Sequence, residues 1–200
     1  MIKAIFFDLD GVLTTDKTGS VTTSKYVSEK MGLDYDLVFR TKRKYDHILD
    51  DGKVTYKDLW PEMCREIGAD MDFNLIDESF IATPVDIKMV EFAKSLKSEF
   101  KVGIITDNLI ERANIIWEHN GWKDVFDDMV VSAAVGSHKN TTKIFEIACE
   151  RLNVRPDESI FIDNKASNLI TCEKLGMKGI LFDDEKRDYK KLFEYITGER

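Results

Sequence analysis

Five short apolar runs punctuate the chain: Ala4–Leu9, Lys101–Thr106, Met129–Ala133, Ser159–Asp163 and Gly179–Phe182. Each is four to six residues long, rich in Ile, Val or Phe, and near-continuous rather than alternating. That pattern predicts strands covered on both faces, as in a parallel sheet. Between the last four runs, apolar residues recur at helical spacing. Leu109–Asn120 places Ile110, Ala113 and Trp117 together, and Thr141–Leu152 places Ile144, Phe145, Ala148 and Leu152 on one face with Thr141 as N-cap. Ala166–Leu175 carries Leu169, Ile170 and Leu175, and Gly176 is a stop signal. Strand and helix in alternation predict an α/β fold, a doubly wound, Rossmann-like parallel sheet of five strands with right-handed crossovers.

The segment between the first two runs differs. Residues 16–82 hold no strand-like run but four amphipathic stretches, Thr23–Met31, Tyr35–Ile48, Tyr56–Ile67 and Phe73–Phe80, separated by Gly32, the Asp50-Asp51-Gly52 turn and Gly68. A helix over Pro84–Leu96 leads back into the second strand. The expected organisation is an α/β core of residues 1–15 and 83–200 interrupted by a helical insert of residues 16–82.

Composition narrows the function. The 200 residues, 43% hydrophobic and 33% charged, fit one globular domain with a modest insert. A net charge of −8 argues against a protein whose main task is gripping nucleic-acid phosphates. No stretch approaches 18 apolar residues, so no membrane span is expected. The start of the chain lacks a signal-peptide cleavage pattern. Cys64, Cys149 and Cys172 are odd in number and far apart, which reads as reduced thiols in a cytoplasmic protein. His47, His119 and His138 are equally scattered, so a zinc site is not expected.

Asp-x-Asp occurs three times, at Asp8/Asp10, Asp34/Asp36 and Asp70/Asp72. Only the first copy ends a buried strand, where ligands of open α/β sheets bind. Two carboxylates there are costly unless paired or metal-bound. The other two copies read as solvated turns. The second run ends Thr106-Asp107-Asn108 before a helix, and a hydroxyl with backbone N–H groups at such a turn forms an anion site, or equally an N-cap. Lys139 lies in a loop before the next helix, with His138 as its neighbour rather than a general base. Asp163 and Asn164 end the fourth run, and Asn168 lies on the helix that follows. With Asp8 and Asp10, an acid there would complete an oxygen site suited to Mg²⁺.

This constellation resembles the haloacid dehalogenase superfamily, most of whose members are Mg²⁺-dependent phosphatases. The stretch Phe7-Asp8-Leu9-Asp10-Gly11-Val12-Leu13 is similar to the first motif, Asp-x-Asp-Gly-(Thr/Val). Thr106 takes the place of the Ser/Thr of the second motif and Lys139 that of the lysine of the third, without the prolines that often flank it. Phe161-Ile162-Asp163-Asn164, with Asn168 and Leu175-Gly176-Met177, is similar to the fourth. The helical insert is similar to the family's small α-helical cap, and the turn Asp51-Gly52-Lys53-Val54-Thr55 to caps of small sugar-phosphatase-like members.

The resemblance implies covalent catalysis on a small phosphorylated substrate. Asp8 would attack phosphorus, and Asp10 would protonate the leaving alcohol and then deprotonate water. Thr106, Asp107, Asn108 and Lys139 would hold the phosphoryl oxygens, and Asp8, Asp10, Asp163 and Asn164 would hold Mg²⁺. One position departs from the pattern. The fourth motif usually carries a second acid as the direct metal ligand, and Asn164 stands there. Asn164 keeps open a phosphate- or partner-binding member without catalysis, and transfer to another acceptor, as in mutases, is a further alternative. Dehalogenases of the superfamily lack an aspartate matching Asp10, so Asp10 favours phosphoryl chemistry. Tyr45, His47, Lys53 and Trp60 are polar or aromatic insert residues expected at the surface or in the insert's core, and Trp117 and Trp122 are expected to pack. The cluster Asp183-Asp184-Glu185 reads either as a solvated turn or as a rim charge near the site.

Overall fold

A computed structural model describes residues 1–49 and 54–198; the turn expected at 50–52, together with Lys53, lies outside them. Five parallel strands form one sheet in the order β3-β2-β1-β4-β5: β1 (Ala4–Phe7), β2 (Lys101–Thr106), β3 (Asp128–Val131), β4 (Ser159–Asp163) and β5 (Lys178–Leu181). The α/β expectation holds, and the continuous apolar runs have a simple cause. Along β1, Ala4 and Phe6 pack into one core with Phe145, Phe161 and Leu169, while Ile5 and Phe7 pack into another with Phe92, Phe126 and Trp122. Helices cover both faces, so every position of β1 is apolar. At Gly103 on β2, a Cβ would lie 2.8 Å from the Phe6 ring, so a glycine makes room for that ring.

The helices are α1 (Gly19–Met31), α2 (Tyr35–Leu49), α3 (Tyr56–Ile67), α4 (Asn74–Ile81), α5 (Ile87–Leu96), α6 (Ile110–His119), α7 (Ser132–Val135), α8 (Lys143–Arg151), α9 (Ala166–Glu173) and α10 (Tyr189–Thr197). Five of them, α1 to α5, stand between β1 and β2, and α1 to α4 bury their own apolar cluster, including Val27, Tyr45, Tyr56, Trp60, Met63 and Phe80. Tyr45 and Trp60 belong to that cluster, as expected. The two strands linking insert and sheet meet at a bridge between Thr14 and Val85, with Thr15 N–H on Pro84 O and Asp86 N–H on Leu13 O.

Several boundaries differ from the sequence expectation. Helix α1 starts four residues earlier than the apolar spacing predicts, because the Thr18 hydroxyl caps it by accepting the Val21 N–H. Its first turn of Gly, Ser, Val and Thr gives no periodic signal. Thr141 is not the N-cap of α8. Thr142 holds that position, and the Thr141 hydroxyl donates to His138 O and meets the Ser137 hydroxyl at 2.7 Å. Strand β3 stops at Val131, where Ser132 turns to accept the Asn108 N–H. Helix α10, absent from the expectation, is capped by Asp188 and sets Leu192 into the sheet's core.

Candidate active site

The chain does not run straight on from β1. Asp8 is extended, and Leu9–Leu13 then forms a single wide turn closed by Thr14 N–H on Leu9 O. Gly11 in this turn has φ of +82°, and a Cβ there would lie 2.2 Å from the Asn164 amide nitrogen. Glycine therefore answers both a backbone and a spatial demand. The turn is held from outside by Arg187, which donates to Gly11 O at 3.1 Å and Val12 O at 2.7 Å.

Asp8, buried at the end of β1, accepts at Oδ1 from the Leu9 N–H and from Lys139 Nζ, each at 2.7 Å. Burial pushes the Asp8 carboxyl up to about 7 against the pull of Lys139, and the neighbouring Asp163 and Asp10 add to the rise. Lys139 is itself buried, which disfavours its charge, but Asp8, Asp163 and Asp107 more than offset this and hold it above its ordinary value. It bridges Asp8 and Asp163, the latter at 2.8 Å. The lysine expected from a loop thus lies at the centre of the site.

Asp10 faces the same cavity. Arg112 of α6 grips it as a fork, Nη1 to Oδ2 and Nη2 to Oδ1, both 2.8 Å, and Asn108 adds a third bond at 3.0 Å. Thr106 is buried at the end of β2, with its hydroxyl 3.4 Å from the Asn108 amide nitrogen. Asp107 accepts the Lys139 backbone N–H at 3.0 Å and lies 3.6 Å from His138 Nδ1. His138 is thus a neighbour of the site.

At the end of β4, Asp163 is buried and accepts three hydrogen bonds. It accepts from Lys139, from the Asn168 amide at 2.9 Å and from the Lys165 N–H at 2.7 Å. Asn164 is different. Its amide nitrogen donates to Asp184 at 3.0 Å, and its Oδ1 is buried without a hydrogen-bond partner. A buried polar atom left unpaired is costly and calls for an explanation. Among the described residues no three His, Cys, Asp or Glu side chains converge as a metal cluster. The orphaned Asn164 Oδ1, whose amide lies against Gly11 in the turn that follows Asp8, is a hard oxygen of the kind taken by a divalent cation that keeps several waters. Asp184 of the Asp183-Asp184-Glu185 cluster does not line the cavity over Asp8, but its bond to Asn164 sets which end of that amide is free.

Seventeen of the described residues line a cavity of about 230 Å³ over Asp8. Asp10, Asp107, Asn108, Arg112 and Lys139 come from the sheet side, and Ser20, Lys42, Arg43, Asp46 and Tyr56 from the insert. The sequence reading missed Arg112, Lys42 and Tyr56. Arg112 carried one signal: it stands one turn before Ile116 on the buried face of α6, a charge in phase with apolar residues. Tyr45 and Trp60 point elsewhere, their polar atoms bound to Glu66 and Met71 O.

A model of the haloacid dehalogenase-like hydrolase family matches residues 2–176. The chain belongs to this family. It is an enzyme of the hydrolase class, and named relatives agree. It is 26% identical to bifunctional epoxide hydrolase 2 of Sus scrofa over 98% of this chain, though it spans only 39% of that protein's length. It is 25% identical to a glyceraldehyde 3-phosphate phosphatase of Methanothermobacter thermautotrophicus, covering 92% of this chain and 87% of that one. A family enzyme of Bacteroides thetaiotaomicron shares the fold at a TM-score of 0.73 and 18% identity, over 96% of this chain and 98% of that one. The same enzyme has been solved with magnesium and inorganic phosphate. No helix among the described residues is long and apolar enough to cross a membrane.

Proposed function

We propose that this family member is a Mg²⁺-dependent phosphomonoester hydrolase that acts on a small phosphorylated metabolite through an aspartyl-phosphate on Asp8. The observation that carries the reading is the Asp8–Lys139 contact of 2.7 Å in a cavity that Asp10 also lines. The phosphatase names among the relatives and the magnesium and phosphate held by the structural neighbour support it.

Asp8 attacks phosphorus, forming an Asp8–phosphorus bond as the ester bond breaks. Lys139 and the Thr106 hydroxyl hold phosphoryl oxygens and balance their charge. Asp10, oriented by Arg112 and Asn108, gives a proton to the leaving alcohol. It then takes a proton from the water that attacks phosphorus and frees Asp8. Asp8, the Asp10 carbonyl and Asn164 Oδ1 would hold Mg²⁺, which supplies charge neutralisation between carboxylate and phosphate. Asp163, which carries the hydrogen bonds from Lys139, Asn168 and Lys165, would complete the corner beside Asn164. The helical insert of residues 16–82 acts as a cap that shields the reaction from bulk water and reads the rest of the substrate.

The test is inorganic phosphate release from a panel of phosphomonoesters with Mg²⁺ and with EDTA. Release that needs Mg²⁺ and vanishes in Asp8→Asn is the expected result. Release that persists in EDTA, or in Asp8→Asn, contradicts the reading.

A further inference from the structure

The cap wall of the cavity holds a polar group that phosphate chemistry does not use. Lys42 on α2 is only 5% exposed, and a buried ammonium is costly unless well paired. Its carboxylate is Asp46, one helical turn on, at 2.7 Å. That carboxylate is shared: the Ser20 hydroxyl donates to it at 2.5 Å, and Arg43 stands 3.7 Å away. Tyr56 on α3 lies beneath Lys42, whose ammonium is 5.2 Å from the ring centroid. Tyr56 is 4% exposed, and its hydroxyl, close enough to Lys42 to feel its charge, makes no hydrogen bond of full geometry. Burial raises the phenol above its ordinary pKa, against the pull of Lys42 and Arg112, so it remains a hydroxyl able to donate. Donors therefore outnumber acceptors on this wall. The Tyr56 ring belongs to the insert's apolar cluster, 5.9 Å from the Phe80 ring between centroids, and the residue also lines the cavity.

We infer that Lys42 and Tyr56, braced by Asp46 and Ser20, form a subsite for an oxygen at the far end of the substrate, so that the substrate is the phosphate ester of a short, oxygenated carbon chain. The inference rests on the phosphatase reading and names the substrate class for that site. Size and polarity converge on it. The cavity of about 230 Å³ lies below the roughly 300–1,000 Å³ usual for ligand pockets, which limits the ligand to a phosphate and a few carbons. A wall built to hydrogen-bond rejects a partner that lacks the matching oxygen, because its buried donors would stay unpaired.

The experiment compares glycerol 3-phosphate with n-propyl phosphate, which differ by two hydroxyls. Calorimetric binding is measured with Mg²⁺ in Asp8→Asn, which does not turn over. The expected result is glycerol 3-phosphate binding on the order of tenfold tighter, with Tyr56→Phe or Lys42→Met bringing the two esters to within about twofold. Circular dichroism confirms that each variant is folded. Equal affinities in the parent, a preference that survives both substitutions, or no binding of either ester overturns the inference. So does tighter binding of the alkyl ester, the outcome if a tail passed Tyr56 into the apolar cavity of Phe73, Ile76, Phe80 and Ile115 behind it. Phosphate release by the wild-type protein is read separately. Discrimination in binding without any release refutes the hydrolase reading and leaves the subsite standing; release without discrimination does the reverse.

Discussion

Arg112 and Asp10 face each other as a two-bonded fork, each arm 2.8 Å, across 102 positions of sequence. A bidentate guanidinium–carboxylate pair fixes orientation through its two parallel bonds. The fork sets how the Asp10 carboxyl is presented to the cavity that Asp8 also lines. Arg112→Ala should lower kcat about 10- to 100-fold with a smaller change in KM, and Arg112→Lys should restore only part of the loss. Steady-state kinetics with a good and a poor leaving group check this. An unchanged kcat in Arg112→Ala would remove the positioning role.

The amide of Asn164 is oriented by Asp184, and its unpartnered oxygen is the corner that would hold the metal in the proposed function. Asp184→Ala should therefore weaken Mg²⁺ binding roughly 10- to 100-fold, the usual cost of losing an outer-shell partner. The paired exchange Asn164→Asp with Asp184→Asn keeps the hydrogen bond with its ends reversed and adds a charge at the metal. It should bind Mg²⁺ more tightly than the parent. Titration calorimetry gives both numbers, and an exchange variant with unchanged affinity would place the metal elsewhere.

Gly11 meets two constraints at once, a positive φ and the nearby Asn164 amide. Gly11→Ala should cost about 1–3 kcal/mol of stability through backbone strain and should displace the amide as well. Thermal unfolding and Mg²⁺ titration read the two effects independently. Native stability and native Mg²⁺ affinity in that variant would contradict the geometry.

Asp86 joins the C-terminal segment to the catalytic turn. Burial opposes its ionisation, but bonds from the Tyr189 hydroxyl, the Met89 N–H and Arg187 outweigh this and hold its carboxyl below the ordinary range. Arg187 in turn holds Gly11 O and Val12 O. The sign of the linkage follows. The folded state binds fewer protons here than the unfolded chain, so the stabilisation is present above the unfolded pKa of about 3.9 and is lost as pH falls through the lower folded value. The Tm difference between wild type and Asp86→Asn should therefore be full at pH 7 and shrink below about pH 4. A difference that grows on acidification would reverse the assignment.

How much of this was legible depends on where each side chain acts. Strands β2 and β4 were readable to the residue, because burial on both faces leaves an unbroken apolar run bounded by charge. Asp8 and Asp163 were readable because a carboxylate ending such a run needs a reason. Asn164 was readable as a departure, but its free oxygen was not, since that depends on a turn twenty positions away. Arg112 was hidden by reach: a long side chain on α6 acts at the end of β1. Lys42 and Tyr56 were hidden because the face a cap helix turns to the site is set by how the helices pack. Tyr45 and Trp60, equally polar and aromatic, share the insert's core with Tyr56 but do not line the cavity. The site's chemistry thus followed strand ends, which a linear pattern marks, while its specificity followed helix faces, which it does not.

The covalent step is the account's central claim, and trapping it is the most direct test. The protein is mixed with a phosphomonoester and Mg²⁺, quenched in acid within the first turnovers, digested and mapped by mass spectrometry. The account predicts one added phosphoryl group on the peptide containing Asp8, absent from Asp8→Asn and lost on mild alkaline treatment as an acyl phosphate is. Phosphate release at full rate with no phosphoryl group on Asp8 at any quench time, or with the group on another residue, would contradict it.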